Sequence, residues 1–247
     1  MILLIKKRSF HLLFVGIFFL GISLGTYSLA AHPNMIKWKT QKLVITGIKT
    51  SQKVVALTFD DGPDPDNTPV LLDVLKKHKA QATFFVIGTK GEKYPSILKR
   101  IAREGHEIGN HGYTHFSGKN RQDEYLQYEI RKANEIIHQI TGQKPRLFRP
   151  PGGYLSNSLI EITQKEKVVI AYWSYIQDVK DWRGISANSI SRHIIENIKP
   201  GQVIILHDGS PNGLQTAHAV DTLIEKLSQE GYRFVTMSKL IRMENKE

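Results

Sequence analysis

Two carboxylates stand side by side in this chain, Asp60 and Asp61, directly after the apolar and β-branched run Val54–Phe59 and directly before Gly62-Pro63. The run has the pattern of a strand buried on both faces, and the Gly-Pro pair forces a turn. Acids delivered by such a strand need a partner or a metal ion, because an uncompensated buried charge is costly. An Asp-Asp-Gly turn with solvated acids would account for them equally well in isolation. His111 and His115 shift the balance. They are four residues apart, a spacing that one turn of helix would place on one side. With one carboxylate, Asp60 or Asp61, they make a two-histidine, one-carboxylate set with an open position. Such a set suits catalytic Zn²⁺ or a similar ion such as Co²⁺.

Other chemistries find no support. The chain has no cysteine, which removes thiol nucleophiles, disulfides and Cys-bound zinc. There is no Gly-x-Ser-x-Gly elbow, Walker-type phosphate loop or Gly-x-Gly-x-x-Gly fingerprint. His106-Glu107 does not open a zinc-protease helix, because that pattern needs histidine at 110 and the chain has Asn110.

The elements that must position these residues alternate in type. After the turn, Thr68-Pro69 reads as an N-cap with proline at the first helical position, opening a helix to about Lys77. Ala82–Ile87 reads as a second buried strand, Pro95–Glu104 as a helix and Glu107–Gly109 as a third strand. Leu126, Ile130, Ala133, Ile137 and Ile140 step by four and three, which makes Asp123–Thr141 the clearest amphipathic helix. Further strands are expected at Leu147–Arg149, Val168–Tyr172, Val203–Leu206 and Phe234–Val235. Helices are expected near Ser156–Lys165, Ala187–Ile198 and Thr216–Gln229. Roughly seven β/α units result. About 190 residues is short for a full eight-fold barrel. The expectation is a compact (β/α) barrel that need not be complete, with an open doubly wound sheet as the alternative. Asp60, Asp61, His111, His115, Arg149, Asp181 and His207 then all fall at or just past strand C-termini. In a barrel those ends share one mouth.

Five of these stretches, in this order, resemble the motifs of the polysaccharide deacetylase family, the NodB-type carbohydrate esterases. They are Thr58-Phe59-Asp60-Asp61-Gly62, His111-x-x-x-His115, Arg149-Pro150-Pro151-Gly152-Gly153, Asp178-x-x-Asp181-Trp182 and Ile205-Leu206-His207-Asp208. The resemblance covers about residues 53–242. It implies a deacetylase barrel in which Asp61, His111 and His115 hold the metal and Asp60 is the general base. His207 would protonate the departing amine, with Arg149 supporting Asp60 and Asp181 supporting His207. The backbone N–H at Gly152 would hold the oxyanion; many family members carry tyrosine there, so substrate preference is the property its loss touches. Trp182 and Tyr154 would line the sugar groove. Asp178, Asp208 and Asn110 are expected as supporting or turn residues. The implied reaction is removal of N-acetyl groups from N-acetylglucosamine units of a β-1,4 polymer. Peptidoglycan comes first, then chitin oligosaccharides or xylan, with a glycan-binding relative lacking turnover as a different class.

The rest of the chain bounds where this happens. Lys6, Lys7 and Arg8 precede the largely apolar run Phe10–Leu29, and Ser28-Leu29-Ala30 resembles a cleavage site. Residues 1–31 are therefore read as a signal peptide or a signal anchor, attached to the membrane if uncleaved. Either way the remainder is expected outside the cytoplasm. Residues 32–52 read as a linker or edge strand, 53–242 as the catalytic domain and 243–247 as a tail. The net charge of +11 suits an anionic surface, but no basic helix or long Lys/Arg run points to nucleic acid. A monomer is expected.

Overall fold

A computed structural model describes residues 34–119 and 121–244 of the chain. The expected signal segment lies outside the described residues. Among them, no helix is long and apolar enough to cross a membrane.

Strand β2 (Val54–Asp60) has three strand neighbours, more than any other described strand, and all seven of its residues are buried. Its alternation explains why. Val55, Leu57 and Phe59 face the outer helical layer, whereas Val54 and Ala56 pack into an inner cluster with Phe85, Leu147, Ala171 and Val203. The inward row continues through Thr58 to Asp60, so the barrel interior turns polar toward the strand's C-terminal end. That gradient marks the mouth.

The other strands are β1 (Val44–Ile45), β3 (Thr83–Val86), β4 (Glu107–Asn110), β5 (Leu147–Phe148), β6 (Val169–Ala171), β7 (Val203–His207) and β8 (Arg233–Val235). All ladder pairs are parallel, in the order β1-β6-β5-β4-β3-β2-β7. β3 pairs with the end of β2, and β8 with its start, Val54–Ala56. The result is an incomplete β/α barrel rather than an open doubly wound sheet. Its gap, between β1 and β7, is crossed by irregular chain. Gly47 bridges Gln202, and Ser174 donates its hydroxyl to the Thr46 carbonyl while accepting from Val203 N–H.

The helices are α1 (Met35–Thr40), α2 (Asn67–Lys77), α3 (Gly88–Lys93), α4 (Pro95–Arg103), α5 (Asp123–Thr141), α6 (Asn157–Lys165), α7 (Ala187–Asn197), α8 (Gly213–Gln229) and α9 (Met237–Glu244). Helix α5 has the expected bounds, and Gly142, with φ 74°, closes it by donating to the His138 carbonyl. Ser156 and Ser186 cap α6 and α7 with their hydroxyls.

Three expectations differ from the structure. Residues 34–52 hold the edge strand that is one of the two expectations, β1, which pairs with β6, but also an unexpected helix, α1, which buries Trp38. Helix α2 starts one residue before Thr68 and uses no side-chain N-cap. The Thr68 hydroxyl is engaged elsewhere, donating to Asp208. Third, the His111–His115 stretch is not a helical turn but an irregular loop containing Gly112 at φ 81° and His115 at φ 56°.

Candidate metal and catalytic site

A cleft of about 470 Å³ at the mouth is lined by Asp60, Asp61, His111, His115, Gly152, Trp182 and His207, among others. Most come from strand ends or the segments just past them. Trp182, like Asp181 next to it, instead lies in the long connection between β6 and β7, well beyond the strand end expected for Asp181. Asp60 ends β2, and Asp61 follows in the left-handed region at φ 70°. For a residue with a Cβ that conformation is strained, so the surrounding chain must impose it.

Asp61 Oδ1 lies 3.3 Å from His111 Nε2 and 3.1 Å from His115 Nε2. The three groups offer one ligand atom each, all within 4.8 Å of one another. Ligand atoms around a tetrahedral Zn²⁺ at about 2.0–2.2 Å sit roughly 3.4 Å apart. Asp61 Oδ1 is also buried without a hydrogen-bond partner of acceptable geometry, although both imidazoles face it. Converging donors around an orphaned oxygen fit a divalent cation. His111 is set up for this role, since its Nδ1 lies 2.7 Å from the Arg149 carbonyl. A carbonyl only accepts, so Nδ1 carries the hydrogen and Nε2 presents its lone pair. Burial works to raise the Asp61 carboxyl, yet the two imidazoles override it and hold it far below the usual carboxylate range. The Asp61 carboxylate in turn raises the His115 imidazole. The site attracts positive charge.

The loop carrying His115 is braced from behind. Fully buried Glu129, on α5, accepts from the N–H groups of Tyr113 and Thr114 at 2.7 and 2.8 Å, and from the Thr114 hydroxyl at 2.8 Å. Asn110 accepts from Gly112 N–H and donates to Ile130 O and Asn134 Oδ1.

Arg149 is fully buried beneath the cleft floor. Its guanidinium binds Asp60 Oδ1 at 2.7 Å, Thr58 Oγ1 at 2.8 Å, Ala171 O at 2.9 Å and Tyr172 O at 3.0 Å. One Asp60 oxygen is thus committed, while Oδ2 lies 3.9 Å from His111 Nε2. Burial lowers the Arg149 pKa, and Asp60 opposes that loss of charge.

Across the cleft, His207 Nδ1 lies 2.8 Å from Asp181 Oδ1, and His207 N–H donates to Asp181 Oδ2 at 2.8 Å. Asp181 is itself fully buried and accepts from Thr216 Oγ1 at 2.7 Å. Burial disfavours the imidazolium, but the Asp181 bond and charge outweigh it and push His207 up to about 9. A histidine that holds its proton at neutral pH is equipped as an acid.

The structure therefore brings Asp60, Asp61, His111, His115, His207, Gly152 and Trp182 to one cleft, with Arg149 and Asp181 beneath it. Tyr154 is not among the lining residues; it packs on Gly118, where an added Cβ would meet its ring at 2.9 Å. Five lining residues escaped the sequence reading: Trp173, Lys180, Gly209, Ser210 and Pro211. Trp173 stacks on Tyr172 with 3.9 Å between ring centroids, and nothing local in Ala171–Ser174 signals that. Glu129 left a trace: it is a carboxylate on the apolar face of α5, between Leu126 and Ile130.

Comparison with known proteins settles the lineage. The model of the polysaccharide deacetylase family matches residues 47–170. The chain belongs to the polysaccharide deacetylase family. A Bacillus cereus relative, named a peptidoglycan-N-acetylglucosamine deacetylase, is 40% identical over 195 residues, covering 79% of this chain and 91% of that one. A crystal structure of a peptidoglycan N-acetylglucosamine deacetylase bound to a naphthyl N-hydroxybenzamide superposes with a TM-score of 0.78 at 36% identity. It covers 82% of this chain and 94% of its own. A family 4 acetyl xylan esterase from Clostridium thermocellum, solved with a cobalt ion, has a TM-score of 0.70 at 33% identity, covering 77% of this chain and 91% of its own. Deacetylases of this family are metal-dependent hydrolases, and the Asp61–His111–His115 group is where this chain's donors converge.

Proposed function

We propose that this chain hydrolyses N-acetyl groups from N-acetylglucosamine residues of peptidoglycan, outside the cytoplasm. The observation that carries the reading is the cleft itself, where three convergent ligand atoms face an anchored carboxylate on one side and a charged imidazole on the other. The names of the relatives support the polymer. Zn²⁺ is the proposed ion, with Co²⁺ as a substitute, and a monomer the proposed working form. Residues 1–31 are proposed to export the chain, or to tether it to the membrane's outer face when uncleaved.

A divalent ion held by Asp61, His111 and His115 would polarise the acetamide carbonyl and make a water acidic near neutral pH. Asp60, fixed through Oδ1 by Arg149, turns Oδ2 to the cleft and takes the proton from the attacking water. The Gly152 N–H is proposed to stabilise the developing oxyanion. His207 delivers its Nε2 proton to the departing amine, and Asp181 stabilises the imidazolium and keeps it oriented. Trp182, partly exposed in the wall, offers an aromatic face to a sugar ring.

The test is acetate release and product mass from defined peptidoglycan fragments and chitin oligomers, with Zn²⁺ and after chelation. Asp60→Asn should lower turnover by roughly 100- to 10,000-fold. Release that persists unchanged in Asp60→Asn, or after rigorous chelation, would reject the roles. Turnover of chitin oligomers alone would move the substrate.

A further inference from the structure

The catalytic roles leave Asp208 unused, although it follows His207 directly, is 1% exposed and sits against the turn that carries Asp61. Its Oδ2 accepts the Thr68 hydroxyl, and Thr68 Oγ1 accepts in turn from Asp64 N–H at 2.8 Å. Asp64 Oδ1 accepts from Asp66 and Asn67 N–H, each at 3.0 Å. The whole 61–68 turn is therefore tied down, and its far end is tied to Asp208. At its near end the carboxyl faces Gly62: an added Cβ there would lie 2.3 Å from Oδ2 and 2.7 Å from Oδ1. One residue on, Gly209 donates its N–H to the Asp60 carbonyl at 3.2 Å. A Cβ on Gly209 would fall 1.9 Å from the Asp61 carbonyl oxygen. The exits of β2 and β7 thus interlock around two glycines and one carboxyl group.

We infer that Asp208 is a positioning residue that clamps the Asp61–Gly62 turn, and thereby sets the Asp61 ligand oxygen and the His207 acid in one fixed relation. The inference rests on the metal-site reading given above. The clamp acts through shape and an acceptor oxygen, not through charge. Asp208 fills the space over Gly62 and gives Thr68 its acceptor. Without both, the left-handed conformation at Asp61, φ 70°, loses the contact that opposes its relaxation.

Asp208→Ala, Asp208→Asn and Thr68→Val test it, each with two readouts. The first is amide hydrogen exchange of residues 58–68 in the chelated protein, which needs neither metal nor turnover. The second is Co²⁺ affinity and its visible absorption band. Asp208→Ala should raise exchange across the turn, weaken Co²⁺ binding about 10- to 100-fold, as loss of a ligand's support does, and shift the band. Asp208→Asn keeps the shape and a carbonyl for Thr68, and should restore both readouts to near wild type. Thr68→Val, the milder change should Asp208→Ala fail to fold, should raise exchange at 61–64. Unchanged exchange in Asp208→Ala and Thr68→Val overturns the clamp, as does an Asp208→Asn variant as impaired as Asp208→Ala. A wild-type protein that binds no Co²⁺ defeats the metal-site reading instead, and the exchange readout still decides the clamp.

Discussion

At the scale of single residues, the site is built from charges held by named neighbours, two imidazoles for Asp61 and one carboxylate above all for His207. His207 is the clearest case, because its charge depends on Asp181. Its folded pKa of about 9 lies above the ordinary 6.5 of imidazole. The protonated pair therefore stabilises the fold fully below about pH 6.5, and the contribution is lost as pH rises through about 9. Histidine resonances in the chelated protein should titrate for His207 near 9. Asp181→Asn keeps an acceptor but removes the charge that opposes burial most, leaving only the weaker pull of Asp60 and Asp61, so the midpoint should fall from about 9 toward the ordinary value. A midpoint unmoved by that substitution would detach Asp181 from the acid. In turnover, the alkaline limb of the pH profile should follow the same group. Gly152 makes a second point at this scale. It adopts φ 64° with open space around its Cα, so a larger side chain there would meet conformational strain rather than a clash.

At the scale of elements, the strand ends were legible and the loops beyond them were not. The apolar run Val54–Phe59 announced β2, and the 4-3 spacing of α5 fixed that helix, because burial on both faces or on one stripe leaves a direct imprint on composition. Helix α3 left none: Gly-Thr-Lys-Gly-Glu-Lys has two glycines and no apolar stripe, and tertiary contacts hold it. Strand β5 is two residues long, too short for any periodicity. The histidine loop is not legible from its spacing, because a four-residue interval is shared by helices and by loops braced from outside. Here the brace is Glu129. Glu129→Ala strips two backbone N–H groups of their acceptor, at about 1–3 kcal/mol each. It should lower the melting temperature and weaken Co²⁺ binding about 10- to 100-fold. Glu129→Gln can still accept both N–H groups through its oxygen and donate to the Thr114 hydroxyl, so it should recover most of the affinity. Equal loss in both variants would show that the carboxylate charge, not the bonding pattern, shapes the loop.

For the whole molecule, the decisive question is how an incomplete barrel keeps a rigid mouth. The chain on both sides of the gap between β1 and β7 is stitched by Ser174 and by the Ile48 N–H, which donates to the Gly201 carbonyl. β1 in turn depends on α1. Trp38 is 5% exposed and packs with Val44, Phe148, Leu159 and Ile170, directly outside the strands that present Arg149. The match to the family model begins at residue 47, after both elements, yet the packing makes them part of the same core. Trp38→Ala should therefore cost about 3–5 kcal/mol. For a chain of this size that is a fall of roughly 6–20 °C in melting temperature. The loss should spread to the site, because β6 supplies the Ala171 carbonyl that anchors Arg149, and Arg149 anchors Asp60. Calorimetry with paired assays checks it. A melting temperature unchanged within about 2 °C, against the several degrees expected for a buried tryptophan, would make residues 34–46 an appendage. A large fall with full activity at low temperature would show that Arg149 is held by β2 and β5 alone.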